Sequence, residues 1–289
     1  MEKLIKQAIY NRGDTSTVQL IRPVSGGDIN QASYVKTEKE EYFIKYNNST
    51  PPGFFQQEAQ GLKKIKETGV IQVPNVYDFH ESTESGEGWL ILEWIQGEKN
   101  EKTEELLGRQ LALMHSVSKD KFGFHHPSYI GMIEQPNQYY DKWAEYYTKN
   151  RLLPQVELAK KKGYLYQERE AGLYELLERM EKWLPHSCEA SLLHGDLWGG
   201  NWIVGKTGDP YLIDPSVFYG HSEFELSFTE LFGGFSSEFY QAYQEVRPLS
   251  PEYEERKPLY QLFYLLVHLN LFGEAYGRSV DRVWRYYVG

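Results

Sequence analysis

Residues 194–215 set three oxygen-bearing side chains, Asp196, Asn201 and Asp214, around two short apolar runs. Trp202-Ile203-Val204 and Tyr211-Leu212-Ile213 flank a polar turn, Gly205–Pro210, and the spacing predicts a hairpin. The two ends of a hairpin lie side by side, so Asn201 and Asp214 are expected to be neighbours. An amide oxygen and a carboxylate there suit Mg²⁺, which takes hard oxygen ligands and shares itself with phosphates. Asp196 stands before them on the loop that leads into the hairpin, and it can aim a carboxylate at the same space. A base for a hydroxyl proton beside ligands for a phosphate-bound metal is what phosphoryl transfer needs. Any one of the three could equally cap or turn a loop; their grouping around one hairpin argues for chemistry.

Such a site also needs groups for the nucleotide, and the first third of the chain offers candidates. Lys45 sits mid-run in Tyr42-Phe43-Ile44-Lys45-Tyr46, and Glu58 lies on the segment that follows. Kinases pair a lysine on their third strand with a glutamate on the next helix to anchor the α- and β-phosphates. The plainer reading is a surface Lys on an edge strand and a solvated Glu. Ser25-Gly26-Gly27-Asp28 is a turn whose Ser25, Gly26 and Gly27 would let backbone N–H groups approach phosphate oxygens. No G-x-x-x-x-G-K-[ST] motif occurs, which argues against a P-loop fold. Glu93, Trp94 and Ile95 end the last N-terminal strand, where backbone groups could meet adenine.

The elements that must position these residues follow from periodicity. Val18–Val24, Ile29–Thr37 and Tyr42–Tyr46 read as strands, Phe54–Glu67 as a helix ended by Gly69, and Val73–Phe79 and Trp89–Ile95 as strands. The polar stretch Gln96–Asn100 marks a boundary, giving a nucleotide-binding lobe at 1–96 and a catalytic, substrate-binding lobe at 97–289. Beyond it, Thr103–Val117 with Thr103 as N-cap, Asn137–Lys149, Gln167–Trp183 and Leu259–Phe272 read as helices, with a strand at Ser191–His194. Glu252–Glu255 reads as a solvated helix start.

Composition narrows the class. In 289 residues, 41 acidic against 31 basic side chains give a formal charge of −10, which argues against nucleic-acid and anionic-membrane partners. No apolar run is long enough to span a bilayer, and the charged N-terminus lacks the apolar run of a signal peptide. A single cysteine, Cys188, excludes an internal disulfide and reads as an inert thiol in a reducing, cytoplasmic setting.

His194-Gly-Asp-Leu-Trp-Gly-Gly-Asn201 with Asp214-Pro215 resembles the protein-kinase-like small-molecule phosphotransferases, which include aminoglycoside and choline kinases. Val24–Ser33, Phe218–Leu226 (with Tyr219-Gly-His-Ser-Glu223) and Phe232–Tyr240 narrow this, and the chain resembles the fructosamine (ketosamine-3-) kinase family nearly end to end. The resemblance implies an α+β, bilobal protein-kinase-like fold, with an antiparallel N-lobe carrying one helix and a mostly helical C-lobe. It implies ATP-dependent phosphorylation of the sugar 3-hydroxyl of ketosamines, small or protein-bound, giving a product that sheds the sugar. Carried over, Asp196 is the base, Lys45 and Glu58 the phosphate anchor, and Asn201 and Asp214 the Mg²⁺ ligands. Many relatives carry Cys where this chain has Asp28, so thiol-based control through that loop is not expected.

Some residues keep two readings. His194 is either catalytic or structural beneath the loop; Trp198 either stacks on substrate or packs under the loop. His221 and Glu223 either line the substrate cleft or, for Glu223, pair locally. The competing functions are a same-fold kinase for an aminoglycoside or choline, and a non-catalytic nucleotide scaffold. Glu58, Asp196 and Asp214 would meet polyanionic ATP with Lys45 as the one cation among them, which is why Mg²⁺ is expected.

Overall fold

The computed structural model describes residues 2–24, 29–82 and 86–289, without the side chains of residues 3 and 4. By its internal contacts the chain groups into two compact units: Met1–Thr103 with Trp202–Pro215, and Glu104–Asn201 with Ser216–Gly289. The boundary expected after residue 96 thus lies inside the first unit. The hairpin strands Trp202–Val204 and Pro210–Leu212 belong to that unit because their partners do. The Leu212 N–H donates to the Gln72 carbonyl at 2.9 Å, and Thr103 Oγ1 donates to the Gly208 carbonyl at 2.8 Å.

The first unit is built on a sheet of five antiparallel strands in the order β1-β2-β3-β5-β4. These are β1 (Val18–Val24), β2 (Gln31–Thr37), β3 (Glu41–Asn47), β4 (Val76–Glu81) and β5 (Gly88–Glu93). Strand β3 lies in the middle, with Lys45 opposite Ala32 of β2 and Leu90 of β5. The two-residue period of a strand sends Tyr42 and Ile44 to one face and Lys45 to the other. Tyr42 and Ile44, with Val35 and Ile91, pack against Ile5, Ala8 and Ile9 of a helix, α1 (Glu2–Asn11), that the periodicity reading omits.

Helix α2 (Phe54–Lys66) buries Phe55, Ala59, Leu62 and Ile65 at helical spacing, and Gly69 follows it at φ 69°. Its first turn leaves N–H groups without intrahelical partners. The Glu81 carboxylate, from the end of β4, accepts those of Gly53 (2.8 Å), Phe55 and Gln56 (3.2 Å). A negative group at a helix N-terminus is also favoured by the helix dipole. So α2, which carries Glu58, is pinned to the sheet at its start.

The second unit is mostly helical, around the long helix Tyr253–Phe272, with helices at Trp143–Tyr146, Leu153–Lys161, Gln167–Glu178, Ser222–Leu231, Ser237–Val246 and Gly277–Val288. A small antiparallel sheet orders Phe218–Gly220, Ala190–Leu193 and Ser118–Lys119. Its core is aromatic: Trp143, Tyr146, Tyr147, Phe218, Phe224, Tyr260 and Tyr264 are all buried. Each buried phenol finds a partner, as its desolvated hydroxyl requires. Tyr147 donates to the Leu259 carbonyl at 2.7 Å, and Tyr146 to Asn137 Oδ1 at 2.8 Å.

Three expectations change here. The helix expected over Asn137–Lys149 begins at Trp143, because Asn137 and Tyr140 spend backbone groups on Phe122 and Phe124. Past Tyr146 it widens into a π-helical segment, Tyr147–Leu152. Thr103 does not cap its helix: its hydroxyl accepts the Asn100 N–H at 2.9 Å and donates to Gly208. The segments around Phe218 and Ser222, read only as family stretches, are a strand and a buried helix. Among the described residues, no helix is long and apolar enough to cross a membrane.

Gly97 has no room for a side chain, since a Cβ there would fall on the Gly205 carbonyl of the hairpin turn. Gly97→Ala is expected to destabilise by about 1–3 kcal/mol, the usual cost of overpacking. Urea unfolding monitored on the purified chain measures it, and an unchanged midpoint would show that this contact yields freely.

Candidate active site

In the first unit, Lys45 Nζ lies 2.7 Å from Glu58 Oε1 and 2.5 Å from Asp214 Oδ1. The plain reading of Lys45 as a surface residue on an edge strand does not hold: β3 is central, and the Lys45 side chain is 7% exposed. Burial disfavours its charged form, but the charges of Asp214 and Glu58 outweigh that and keep it cationic. Burial, and the nearby charge of Asp214, push Glu58 up to about 7 against the pull of Lys45. Two carboxylates share one ammonium, so the cluster carries an excess of negative charge when both are ionised. Asp214 is less covered, at 43% side-chain exposure, and is the one non-glycine at positive φ (56°) among the described residues. An L-residue pays for that conformation, and Asp is among those that tolerate it.

The adenine-side expectation covers Glu93, Trp94 and Ile95. Glu93 is engaged locally: its carboxylate accepts the Asn75 backbone N–H (3.1 Å) and side-chain amide (2.7 Å). The Trp94 N–H reaches the Glu41 carbonyl at 3.4 Å, and its ring meets Tyr34 edge-on at 4.7 Å. Ile95 follows β5 outside any regular element and is partly buried. A cavity of about 550 Å³ opens beside Trp94, lined also by Gln96, Glu98 and Lys206, and Lys45 is not part of its wall. Ser25, Gly26 and Gly27, with Asp28, lie outside the described residues.

In the second unit the loop bearing Asp196 leaves the strand Ala190–Leu193 with every adjoining backbone group engaged. The His194 carbonyl accepts the Ser216 N–H at 2.8 Å. The N–H groups of His194 and Gly195 donate to Glu225, at 3.0 and 2.5 Å. The Gly195 carbonyl accepts from Tyr264 Oη at 3.1 Å, and the Asp196 N–H donates to His194 Nδ1 at 3.3 Å. Asn201 Nδ2 donates to both the Asp196 carbonyl (2.7 Å) and Asp196 Oδ2 (3.1 Å). Gly195 sits at φ 86°, and a Cβ there would strike the Ser216 carbonyl, so the loop requires glycine. His194 is fully buried and has the structural place beneath the loop.

Trp198 is outside this packing at 43% exposure, with its ring laid over Gly200, where a Cβ would collide with it. Of its two readings, burial under the loop is therefore not the one seen. His221 and Glu223 depart from the substrate-cleft expectation. Both are buried; Glu223 accepts from Ser250 N (2.9 Å), Ser250 Oγ (2.6 Å) and Arg256 (3.1 Å), and His221 Nδ1 pairs with Tyr260 Oη at 2.8 Å. Burial pushes the Cys188 thiol up to about 12, which leaves it protonated and unreactive.

The sequence reading missed Glu225, His115 and Tyr264. The available signal was a glutamate, Glu225, fourth in Ser222-Glu-Phe-Glu-Leu-Ser-Phe-Thr229, a helix otherwise too apolar for a solvated face. A carboxylate on such a helix must find buried donors.

Comparison with known proteins gives the family. The fructosamine kinase family model matches residues 1–288, and the chain belongs to that family. It is 40% identical to a "Probable ketoamine kinase" of Lactiplantibacillus plantarum over 93% of this chain and 95% of that one. It is 36% identical to the chloroplastic protein-ribulosamine 3-kinase of Oryza sativa subsp. japonica, over 96% of this chain and 81% of that one. A crystal structure from Haemophilus somnus 129PT, provisionally named a fructosamine-3-kinase, superposes with TM-score 0.88 at 27% identity, covering 99% and 97% of the two chains. The fold extends to a thermostable mutant of aminoglycoside phosphotransferase APH(4)-Ia, in ternary complex with AMP-PNP and hygromycin B. That structure gives TM-score 0.64 at 16% identity over 97% of each chain. The fold is protein-kinase-like, and the chain is an ATP-dependent phosphotransferase with an alcohol group as acceptor.

His221 provides a pH test of its buried, structural place. Burial, with Arg256, Arg247 and His115 nearby, lowers it to about 3 from an ordinary 6.5. A histidine held neutral by the fold contributes its full stability above about pH 6.5 and loses it as pH falls toward 3. His221→Asn, which can keep a partner for Tyr260, is expected to flatten the acid-side loss by about 1.4 kcal/mol per pH unit. Denaturant unfolding at a series of pH values from about 6.5 to 4 reads this; equal slopes would place a charged His221 in the fold.

Proposed function

We propose that this chain phosphorylates the sugar 3-hydroxyl of ketosamines, ribulosamine or fructosamine adducts of lysine, free or protein-bound, as a step in deglycation. The observation that carries the nucleotide side is the Lys45–Glu58–Asp214 cluster, a buried ammonium that gathers one carboxylate from the next helix and one from far along the sequence. A structural ion pair needs one carboxylate; a third charged partner suits a site that receives phosphates. Lys45 binds the α- and β-phosphates, and Glu58 holds Lys45 in place. In this reading the backbone of Glu93, Trp94 and Ile95 meets adenine.

Asn201 and Asp214 are the proposed Mg²⁺ ligands. By type the donors suit it, one carboxylate and one amide oxygen, and the Asn201 nitrogen is the atom that donates to Asp196. Among the described residues no cluster of three His, Cys, Asp or Glu side chains could hold a metal alone. That suits Mg²⁺, which commonly takes one or two protein oxygens and completes its shell with phosphates and water. The bound ion would supply positive charge against the phosphate oxygens, which Lys45 alone does not balance.

Asp196 is the proposed base. It accepts the proton of the sugar hydroxyl as that oxygen bonds to the γ-phosphorus and ADP leaves. Its second role-bearing neighbour, Asn201, fixes one carboxylate oxygen and so orients the other. Exposed Trp198, two residues on, offers an aromatic face to the sugar or to its cationic amine. The proposal includes a cytoplasmic setting, where the lone Cys188 stays reduced.

The test is ADP release from purified protein offered ribulosyl-lysine, fructosyl-lysine, choline and kanamycin, each with wild type and Asp196→Asn. Turnover is expected with the ketosamines alone, and Asp196→Asn is expected to bind ATP but turn over at least about 100-fold more slowly, as loss of a general base does. Turnover confined to choline or kanamycin would overturn the substrate class. Wild-type rates in Asp196→Asn would remove the base role.

A further inference from the structure

The end of the helix Ser222–Leu231 opens onto rings that the fold leaves uncovered. Phe232 is 44% exposed and Phe272 55%. Phe232 lies 4.6 Å, ring centre to ring centre, from His268, and His268 lies 5.5 Å from Phe272 and 5.0 Å from Tyr276. Single exposed aromatics are ordinary on a protein surface, but four rings in an unbroken chain of contacts make a continuous apolar patch, and such patches mark binding surfaces. The patch stands on a fixed base. Phe232 meets Phe228 edge-on at 5.8 Å, and His268 Nδ1 donates to the Tyr264 carbonyl at 2.8 Å. Burial lowers the His268 pKa from its ordinary value, so this ring adds no positive charge to the patch.

Paired glycines set the patch against the Asp196 loop. Gly233 and Gly234 follow Phe232 at φ 74° and 97°, and Gly199 and Gly200 follow Trp198. A Cβ on Gly234 would come within 2.9 Å of Gly199 Cα, and one on Gly199 within 3.1 Å of Gly234 Cα. A side chain at either position would push the two turns apart. The patch therefore begins beside the loop that carries Asp196 and the exposed Trp198.

We infer that Phe232, Phe272 and Tyr276 form the subsite for the polypeptide around a glycated lysine, and that this subsite makes the enzyme favour ketosamines within a peptide over the free amino-acid adduct. The inference rests on the ketosamine reading of the site and deepens it. A sugar held at Asp196 leads through its secondary amine into the four methylenes of the lysine. Methylenes suit an apolar surface, and a protonated amine suits the face of a ring. In free ribulosyl-lysine the next groups are a charged α-ammonium and α-carboxylate. Laying these on uncharged rings strips their water and offers them no partner. In a polypeptide the same positions are neutral amides, and the flanking side chains can spread over the rings. The chain's formal charge of −10 further favours approach of basic, lysine-bearing segments.

The experiment measures kcat/KM for free ribulosyl-lysine and for an end-blocked peptide of alanine and valine around one ribulosyl-lysine. The proteins are wild type, Phe232→Ser, Phe272→Ser and the double variant. Wild type is expected to favour the peptide. Each single change is expected to lower the peptide-to-free ratio of kcat/KM by about 3- to 10-fold, the worth of one aromatic contact, and the double change by at least about 10-fold. A ratio in the double variant within about twofold of wild type overturns the inference, whether both rates fall together or neither falls. If the double variant fails to fold, the single variants decide by the same ratio. Sedimentation of the same proteins tests the other occupant: a wild-type dimer that the double variant turns into a monomer would assign the patch to a second copy of the chain and overturn the inference. Wild type that phosphorylates neither adduct would overturn the ketosamine reading, and the inference with it. Adducts that are phosphorylated with an unchanged ratio leave that reading standing and overturn the inference alone.

Discussion

A buried ammonium cannot be left alone, and much of the first unit is arranged around that constraint. Lys45 is carried inward by the central strand of the sheet, where water cannot stabilise its charge. Two carboxylates must therefore be delivered to it from elsewhere in the sequence. Glu58 arrives on α2, whose start is tied to β4 through Glu81. Asp214 arrives on the far side of the hairpin, which is fastened to Gln72 and to the segment around Asn100 and Thr103. The backbone of Asp214 adopts a left-handed conformation that an L-residue does not favour, and the attraction of Lys45 helps to offset that cost.

The second unit solves a related problem with the charges reversed. Its buried anion, Glu225, is satisfied by peptide N–H groups and one imidazole rather than by an ammonium. Peptide donors cannot rotate away as a lysine chain can. An anion held by them fixes the path of the main chain, whereas an anion held by Lys45 fixes only a side chain. Both arrangements place ionised groups where removing one partner strands the other, so each is stable only as a complete set.

The candidate residues stood out because phosphoryl transfer demands particular residue types at short spacings. Asp196, Asn201 and Asp214 stand within one loop and one hairpin, and Lys45 lies in an apolar run whose alternation marks a strand. What was not legible depends on distance in sequence. Nothing near Glu225 shows that His194 and Gly195, some thirty residues earlier, will need its oxygens. Glu223 could be read as a cleft residue or as a pairing one, and its partners Arg256 and Ser250 come from a helix and turn whose packing no local pattern predicts. Helix α1 was passed over because, among the described side chains, its stripe against the sheet is Ile5, Ala8 and Ile9, too short to stand out. The false helix over Asn137–Tyr140 is the converse case, where helical spacing yielded to backbone pairing with Phe122 and Phe124.

The sequence discontinuity of the first unit bears on how the protein can be made. Its sheet is finished by residue 93, but the partner of the Gln72 carbonyl and one of the two carboxylates of Lys45 come after residue 201. During synthesis the sheet would emerge with Lys45 still lacking Asp214, while about a hundred further residues are added. Contacts that must wait for so distant a partner slow folding and expose the waiting surface. A fragment ending near residue 103 would keep all five strands and lack one of the two carboxylates that Lys45 requires. Dividing this protein at its most visible boundary would therefore yield an incomplete domain.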